Sequence, residues 1–156
     1  MANPTYVGSS SSFGYKKVVV LDSDSDHQLR SEDSGCIFVI DADVAASAAQ
    51  IYYLPKASET NVGCCFKFIL DASPAQVIDI DRHADDADNI HGCLNSAQAA
   101  GEGASSDGTA QETVRFAASA VQGDNIELVL VGNGSSKWWQ LSGNANDAAH
   151  IAIAAS

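Results

Sequence analysis

The run DIDRHADDADNIH, residues 79–91, gathers Asp79, Asp81, Asp85, Asp86 and Asp88 with His83 and His91. Carboxylates and imidazoles at that density suit a divalent cation. A calcium loop of the EF-hand type, however, sets acidic residues at alternate positions, then a glycine, then a bidentate glutamate, and that order is missing. The simpler reading is a strand whose wet face carries Asp79 and Asp81, followed by a solvated acidic turn. LDSDSDH, residues 21–27, reads the same way. No metal ligand is assigned in either segment.

Other chemistries find no local signature. Serine, histidine and aspartate all occur, but without the G-x-S-x-G elbow that marks one kind of hydrolytic nucleophile. With 20 acidic residues, some pair of carboxylates falls at a hydrolytic separation by chance, so such a pair discriminates nothing. Glycine-rich phosphate loops, dinucleotide fingerprints and haem-attachment motifs are absent from the sequence. Neither a catalytic residue nor a cofactor follows from these patterns. Cys36, Cys64, Cys65 and Cys93 lack C-x-x-C pairing and zinc-like histidine spacing, and read as reduced, mostly buried small hydrophobes. In a strand Cys64 and Cys65 face opposite ways, which leaves room for one exposed thiol. Trp138 and Trp139 remain, the only two tryptophans of the chain. Aromatic faces stack on sugar rings, but neighbours in a strand point to opposite sides, so at most one ring serves a ligand and the other goes inward.

The elements that position these residues are short and evenly spaced. Strands are predicted over 17–21, 36–41, 50–54, 64–70, 76–81, 89–94, 112–118, 125–131, 137–142 and 150–155, rich in Val, Ile, Phe and Tyr and separated by Gly, Pro, Asp, Asn or Ser. That beat implies an all-β sandwich or barrel. Val77, Asp79 and Asp81 face one way and Ile78 and Ile80 the other, as in a sheet with one wet face. Residues 125–143 read as a hairpin turning over Gly132–Ser136. The alanine-rich pieces DVAASAAQ and NSAQAAGEG are too short or too glycine-broken to specify helices. GEGASSDGTAQE, residues 101–112, reads as a long flexible loop. Residues 1–16 form a flexible arm bearing Tyr6, Phe13 and Tyr15, and 17–156 a single domain.

Charge bounds the partners. The 156-residue chain carries 20 acidic and 8 basic residues, a formal charge of -12, and its basic residues are scattered. A nucleic-acid surface needs them concentrated, and anionic membranes repel this balance. No signal-peptide pattern opens the sequence and no apolar run approaches a membrane span, so a reducing cytoplasm is the expected site of synthesis.

Three segments, LRSEDSGCIFVIDADV, QIYYLPKASETNVGCCFKFIL and VQGDNIELVLVGNGSSKWWQLSG, together resemble a β-sandwich domain recurring in virion proteins of tailed bacteriophages. In that pattern a DSGxxFxLD opening leads to an LP strand end and a GxxFxFI strand, and closes with GDxxELVxDGxxWY. Asp33, Ser34 and Gly35 match the opening, Leu54 and Pro55 the strand end, and Gly63, Phe66, Phe68 and Ile69 the central strand. Gly123, Asp124, Glu127, Leu128, Val129 and Trp138 match the close. Trp139 stands where tyrosine is usual and Asn133 where aspartate is common, and residues 79–95 are more acidic than the pattern. The matches span about Lys17 to Ser156 and are packing and turn motifs.

The resemblance implies an antiparallel jelly-roll sandwich of about 8–10 short strands, and a non-enzymatic capsid decoration, or cement, protein. Such a protein is assembled in the host cytoplasm and sits on the outer surface of the virion as a homotrimer on the major capsid protein. Tyr6, Phe13, Tyr15 and Trp139 are then the expected capsid or subunit contacts, with Trp138, Phe66 and Phe68 in the core. The alternative is a carbohydrate- or receptor-binding module of a tail fibre or spike, using an exposed Trp139 and a calcium-loaded acidic turn.

Overall fold

β-branched and aromatic residues crowd χ1 in a helix but pack well on a pleated surface. The runs predicted from them are strands in the computed structural model, which describes residues 5–7, 17–22, 25–41, 49–86, 90–97, 105–107 and 111–154. In chain order these are β1 (Thr5–Val7), β2 (Val18–Leu21), β3 (His27–Gln28), β4 (Ile37–Ile40), β5 (Gln50–Tyr53), β6 (Cys65–Leu70) and β7 (Ile78–Asp81). They continue as β8 (Ile90–Ser96), β9 (Ser105–Asp107), β10 (Thr113–Phe116), β11 (Asn125–Asn133), β12 (Ser136–Ala145) and β13 (Ile151–Ala154). Helical structure among the described residues is confined to two single 3-10 turns, Ser31–Asp33 and Glu59–Asn61.

Two sheets result. The larger has the order β1-β2-β4-β6-β11-β12-β8-β9 and the smaller β13-β10-β7-β5-β3. From β2 to β7 the chain changes sheet after every strand, so β2, β4 and β6 lie side by side in one and β3, β5 and β7 in the other. Each crossing reverses direction and two crossings restore it. Hence β2, β4 and β6 pair in parallel, and so do β3, β5 and β7, whereas β11 and β12 form an antiparallel hairpin. The all-β class is as expected, but both sheets are mixed, which corrects the antiparallel expectation. The order also lacks the uniformly antiparallel neighbours of a jelly roll.

Two further expectations change. Thr5–Val7 pairs with β2, Tyr6 opposite Val19, so this part of the arm is built into the larger sheet and the 16/17 boundary does not exclude it. Ser105–Asp107, placed by the sequence in a flexible loop, pairs with β8. The expectations for Phe13, Tyr15, Asp88 and most of the two alanine-rich pieces lie outside the described residues.

The inner faces of both sheets share one core. Val19, Phe38, Phe68 and Ile126 follow one another in register across the larger sheet, all buried. Tyr52, Ile80 and Val114 do the same in the smaller sheet. Phe38 stacks on Phe68 with centroids 5.4 Å apart, and Phe66 lies 5.7 Å from Trp139. Full burial of a side chain of this size contributes about 1.5–3 kcal/mol. Where β8 joins β12, Gly92 has φ 144, and a Cβ there would lie 2.0 Å from the Leu141 carbonyl oxygen. A side chain at residue 92 would therefore part the two strands.

Candidate functional site

The most chemically equipped surface is the outer face of the smaller sheet. Alternation in β7 turns Ile78 and Ile80 into the core and sets Asp79 and Asp81 on the other side. Register then places Asp79 beside Ile51 and Arg115, and Asp81 beside Tyr53 and Thr113. Arg115 donates from Nε and Nη2 to the two oxygens of Asp79, each at 2.7 Å. This fork-on-carboxylate contact is the strong form of an ion pair. The hydrogen bonds, together with the Asp79 charge, raise the Arg115 pKa above its ordinary value. The Thr113 hydroxyl donates to Asp81 at 2.6 Å.

At the end of β7 the acidic turn is pinned rather than open. Arg82 donates from Nη2 to Glu112 at 2.5 Å and from Nη1 to the backbone oxygens of His83 and Asp86. Asp86 accepts from the Ala57 amide at 2.8 Å, and Lys56 reaches Asp85 at 3.2 Å. Tyr53, Asp81, Arg82, Ala84 and Glu112 line a cleft of about 250 Å³. Burial is the main cause that raises the Asp81 carboxyl above its usual range. Thr113 opposes the rise, the neighbouring Asp79 adds to it, Arg115 opposes it and Glu112 adds a little more. Exposed Asp85 is lowered, chiefly by its hydrogen bond from Lys56.

This arrangement can tie neighbouring strands and their turns together and present a polar, hydrogen-bonded plate. Its carboxylates diverge to separate partners. Among the described residues no three His, Cys, Asp or Glu side chains converge as metal ligands would.

A second polar cluster is internal. Asp124, buried just ahead of β11, accepts from the amides of Val121 at 2.9 Å and Asn146 at 2.7 Å, and contacts His150 Nδ1 at 2.8 Å. It ties the turn before β11 in one sheet to the turn before β13 in the other. An aspartate beside a histidine has the look of half a triad, but its hydrogen bonds hold turns together, and it serves the fold.

The tryptophans reverse the expectation for them. Trp139 is fully buried against Phe66, whereas Trp138 is partly exposed on the outer face of the larger sheet. Trp139 is therefore withdrawn as a contact residue, and the core ring is Trp139 rather than Trp138. The cause is register. The hairpin turns at Gly134–Ser135, with Asn133 opposite Ser136, which brings Trp139 opposite buried Leu130. Trp138 lies 5.6 Å from the His91 ring and donates to Gln140 at 3.3 Å. Phe66 and Phe68 are buried as expected. Of the cysteines, all free, Cys36 alone is buried; Cys64 and Cys65 are partly exposed and Cys93 is exposed, which corrects the mostly buried reading.

Sequence reasoning passed over Arg115, Arg82, Glu112 and Tyr53. The signal for the first was present: in TVRF, residues 113–116, Thr113 and Arg115 alternate with Val114 and Phe116 and complement the alternating Asp79 and Asp81. Pairing β10 with β7 is what the local sequence lacks. Comparison with protein-family models, with curated proteins and with solved structures gives no match for this chain.

Proposed function

We propose that this chain is a non-enzymatic structural protein of a tailed-phage virion, a decoration protein that binds the outer surface of the capsid as a homotrimer and stabilises the shell. The observation that supports it best is the character of the polar face. Its carboxylates and guanidinium groups are engaged with one another across strands, and the cleft beside them, about 250 Å³, is small for enclosing a substrate. A plate of this kind suits broad, shallow contacts repeated by symmetry, each weak and collectively strong. The major capsid protein is the partner on this reading, and the motif resemblance is its source.

Light scattering tests the first step. A salt-resistant mass three times the 16.2 kDa chain is expected, unchanged by a calcium chelator. Added to heads stripped of this protein, it should bind and slow their thermal rupture. Absence of binding would overturn the reading. A second reading has one observation in its favour: partly exposed Trp138, with His91 and Gln140 beside it, forms a small aromatic platform. A receptor- or carbohydrate-binding module of a tail appendage would use it. Quenching of tryptophan fluorescence by oligosaccharides, lost in Trp138→Ala, would favour that function.

A further inference from the structure

The outward side of the larger sheet is aliphatic where alternation ordinarily sets polar groups. Val18 and Val20 of β2, Ile37 and Val39 of β4, Ile69 of β6 and Val129 of β11 all lie on it, partly exposed. Two register rows organise them: Val18, Ile37, Lys67 and Glu127, then Val20, Val39, Ile69 and Asn125. The strands β2 and β4 accordingly read as unbroken apolar runs, and β6 is interrupted only by Lys67, the pattern of a sheet covered on both faces. Asn125, Gln140, Ser142 and Asn144 border the patch on the β11–β12 side. An apolar centre with a polar border is the anatomy of a protein interface.

We propose that this face packs against the same sheet of further copies of this chain. Three observations select that occupant. The chain carries a formal charge of -12, so a second copy is repelled by most of its surface. Lys67 and Glu127 cancel at the centre of this face, where two acidic molecules can meet without that penalty. Neither residue makes an ion pair among the described residues, although they are register neighbours. A second copy supplies each with its complement, Lys67 of one molecule opposite Glu127 of the next. Finally, such plates of β-branched side chains, turned toward a shared threefold axis, cover one another as the two inner faces of this molecule already do. Four strands spaced about 4.8 Å apart, paired over roughly four residues at about 3.3 Å, make an aliphatic plate of roughly 14 by 13 Å.

This surface deepens the proposed function by assigning self-association to one sheet, and it rests on the oligomeric part of that reading alone. The test uses the full chain. Its mass is measured by light scattering across a dilution series, and Cys65, on the same face, is followed by maleimide labelling and peptide mass mapping. Expected are an oligomer whose Cys65 is protected at high concentration and reactive on dilution, and a folded Val39→Lys variant whose dissociation constant rises by at least ~100-fold. Ile37→Lys is the second variant, and Ile51→Lys on the opposite sheet should leave the mass unchanged. A wild-type monomer with reactive Cys65 would overturn the proposal. So would a monomer whose Cys65 is protected at every concentration, which would assign the face to residues 8–16 of the same chain. An oligomer that survives both substitutions overturns it too. Oligomer formation through this face without binding to heads would sink the decoration reading and leave this surface standing; binding of a monomer to heads would do the reverse.

Discussion

The outer faces of the two sheets alternate with the same period and yet present opposite surfaces. On the smaller sheet the outward positions beside Ile51 and Tyr53 include Asp79, Asp81, Thr113 and Arg115, each with a partner on the neighbouring strand. On the larger sheet they are Val18, Val20, Ile37, Val39 and Ile69, with Lys67 and Glu127 alone carrying charge in the middle. Alternation fixes which residues turn inward, but it leaves the outward ones open. Charge on one plate and aliphatic side chains on the other mean that water solvates the first at little cost, while covering the second releases about 25 cal/mol per Å² of apolar area.

The largest expected effect lies between the faces. Trp139→Ala removes the biggest buried side chain from its place against Phe66 and should cost about 3–5 kcal/mol, read from the urea midpoint. Trp138→Ala, on the outer side of the same strand, should cost the monomer about 1 kcal/mol or less. Equal losses would mean that the hairpin register is not what separates core from face.

Next comes the polar plate. Arg115→Met leaves Asp79, whose side chain is only 11% exposed, without its two charged donors. A loss of about 1–3 kcal/mol is expected, arising mainly from the stranded carboxylate because the guanidinium itself is half in solvent. Lys67→Met on the apolar plate should change monomer stability by about 0.5 kcal/mol at most. If the lysine change cost as much as the arginine change, the contrast between the faces would fail.

A smaller effect concerns pH. Because burial raises the folded-state pKa of Asp81 above its unfolded value, the folded chain holds this proton over a window where the unfolded chain has lost it. Stability from this group is therefore present at low pH and declines as pH rises from the unfolded carboxylate value through the folded one. Asp81→Asn keeps an acceptor for Thr113 and removes the charge. The substitution should not lower the thermal midpoint at pH 7, and it should remove this group's share of the decline as pH rises above the unfolded carboxylate value. A large drop at pH 7 would show that the charged form is needed. The smallest effect is expected at the exposed Lys56–Asp85 pair: Lys56→Ala should leave the midpoint unchanged in about 0.15 M salt, since such pairs are screened.

The candidate surfaces were legible to different depths. Ten of the strands are readable as apolar runs between turn residues, but β3 and β9 are only two and three residues long, and His27–Gln28 and Ser105–Asp107 carry no apolar run of their own. Their edges come from β5 and β8. The orientation of the tryptophans is also written in the chain: Trp138, Gln140, Ser142 and Asn144 share one parity, and Trp139, Leu141, Gly143 and Ala145 the other. Matching Trp138 to a motif tryptophan points the opposite way, and the alternation wins because it would otherwise bury Gln140 and Asn144. The pairing of Arg115 with Asp79 joins residues 36 positions apart and needs the sheet order to exist.

The sequence by itself determined that the chain is all-β, most of the positions that alternate into the core and how acidic the molecule is, because strand propensity, period-two burial and net charge are local or additive properties. Tertiary structure decided the rest. Whether β2, β4 and β6 run parallel depends on how many times the chain crosses between sheets. The coverage of Asp79, the engagement of the acidic turn by Arg82 and Lys56, and the gathering of scattered valines and isoleucines into one plate depend on which strands become neighbours. Those choices are made by the free energy of the whole packed sandwich, and no short stretch of residues contains them.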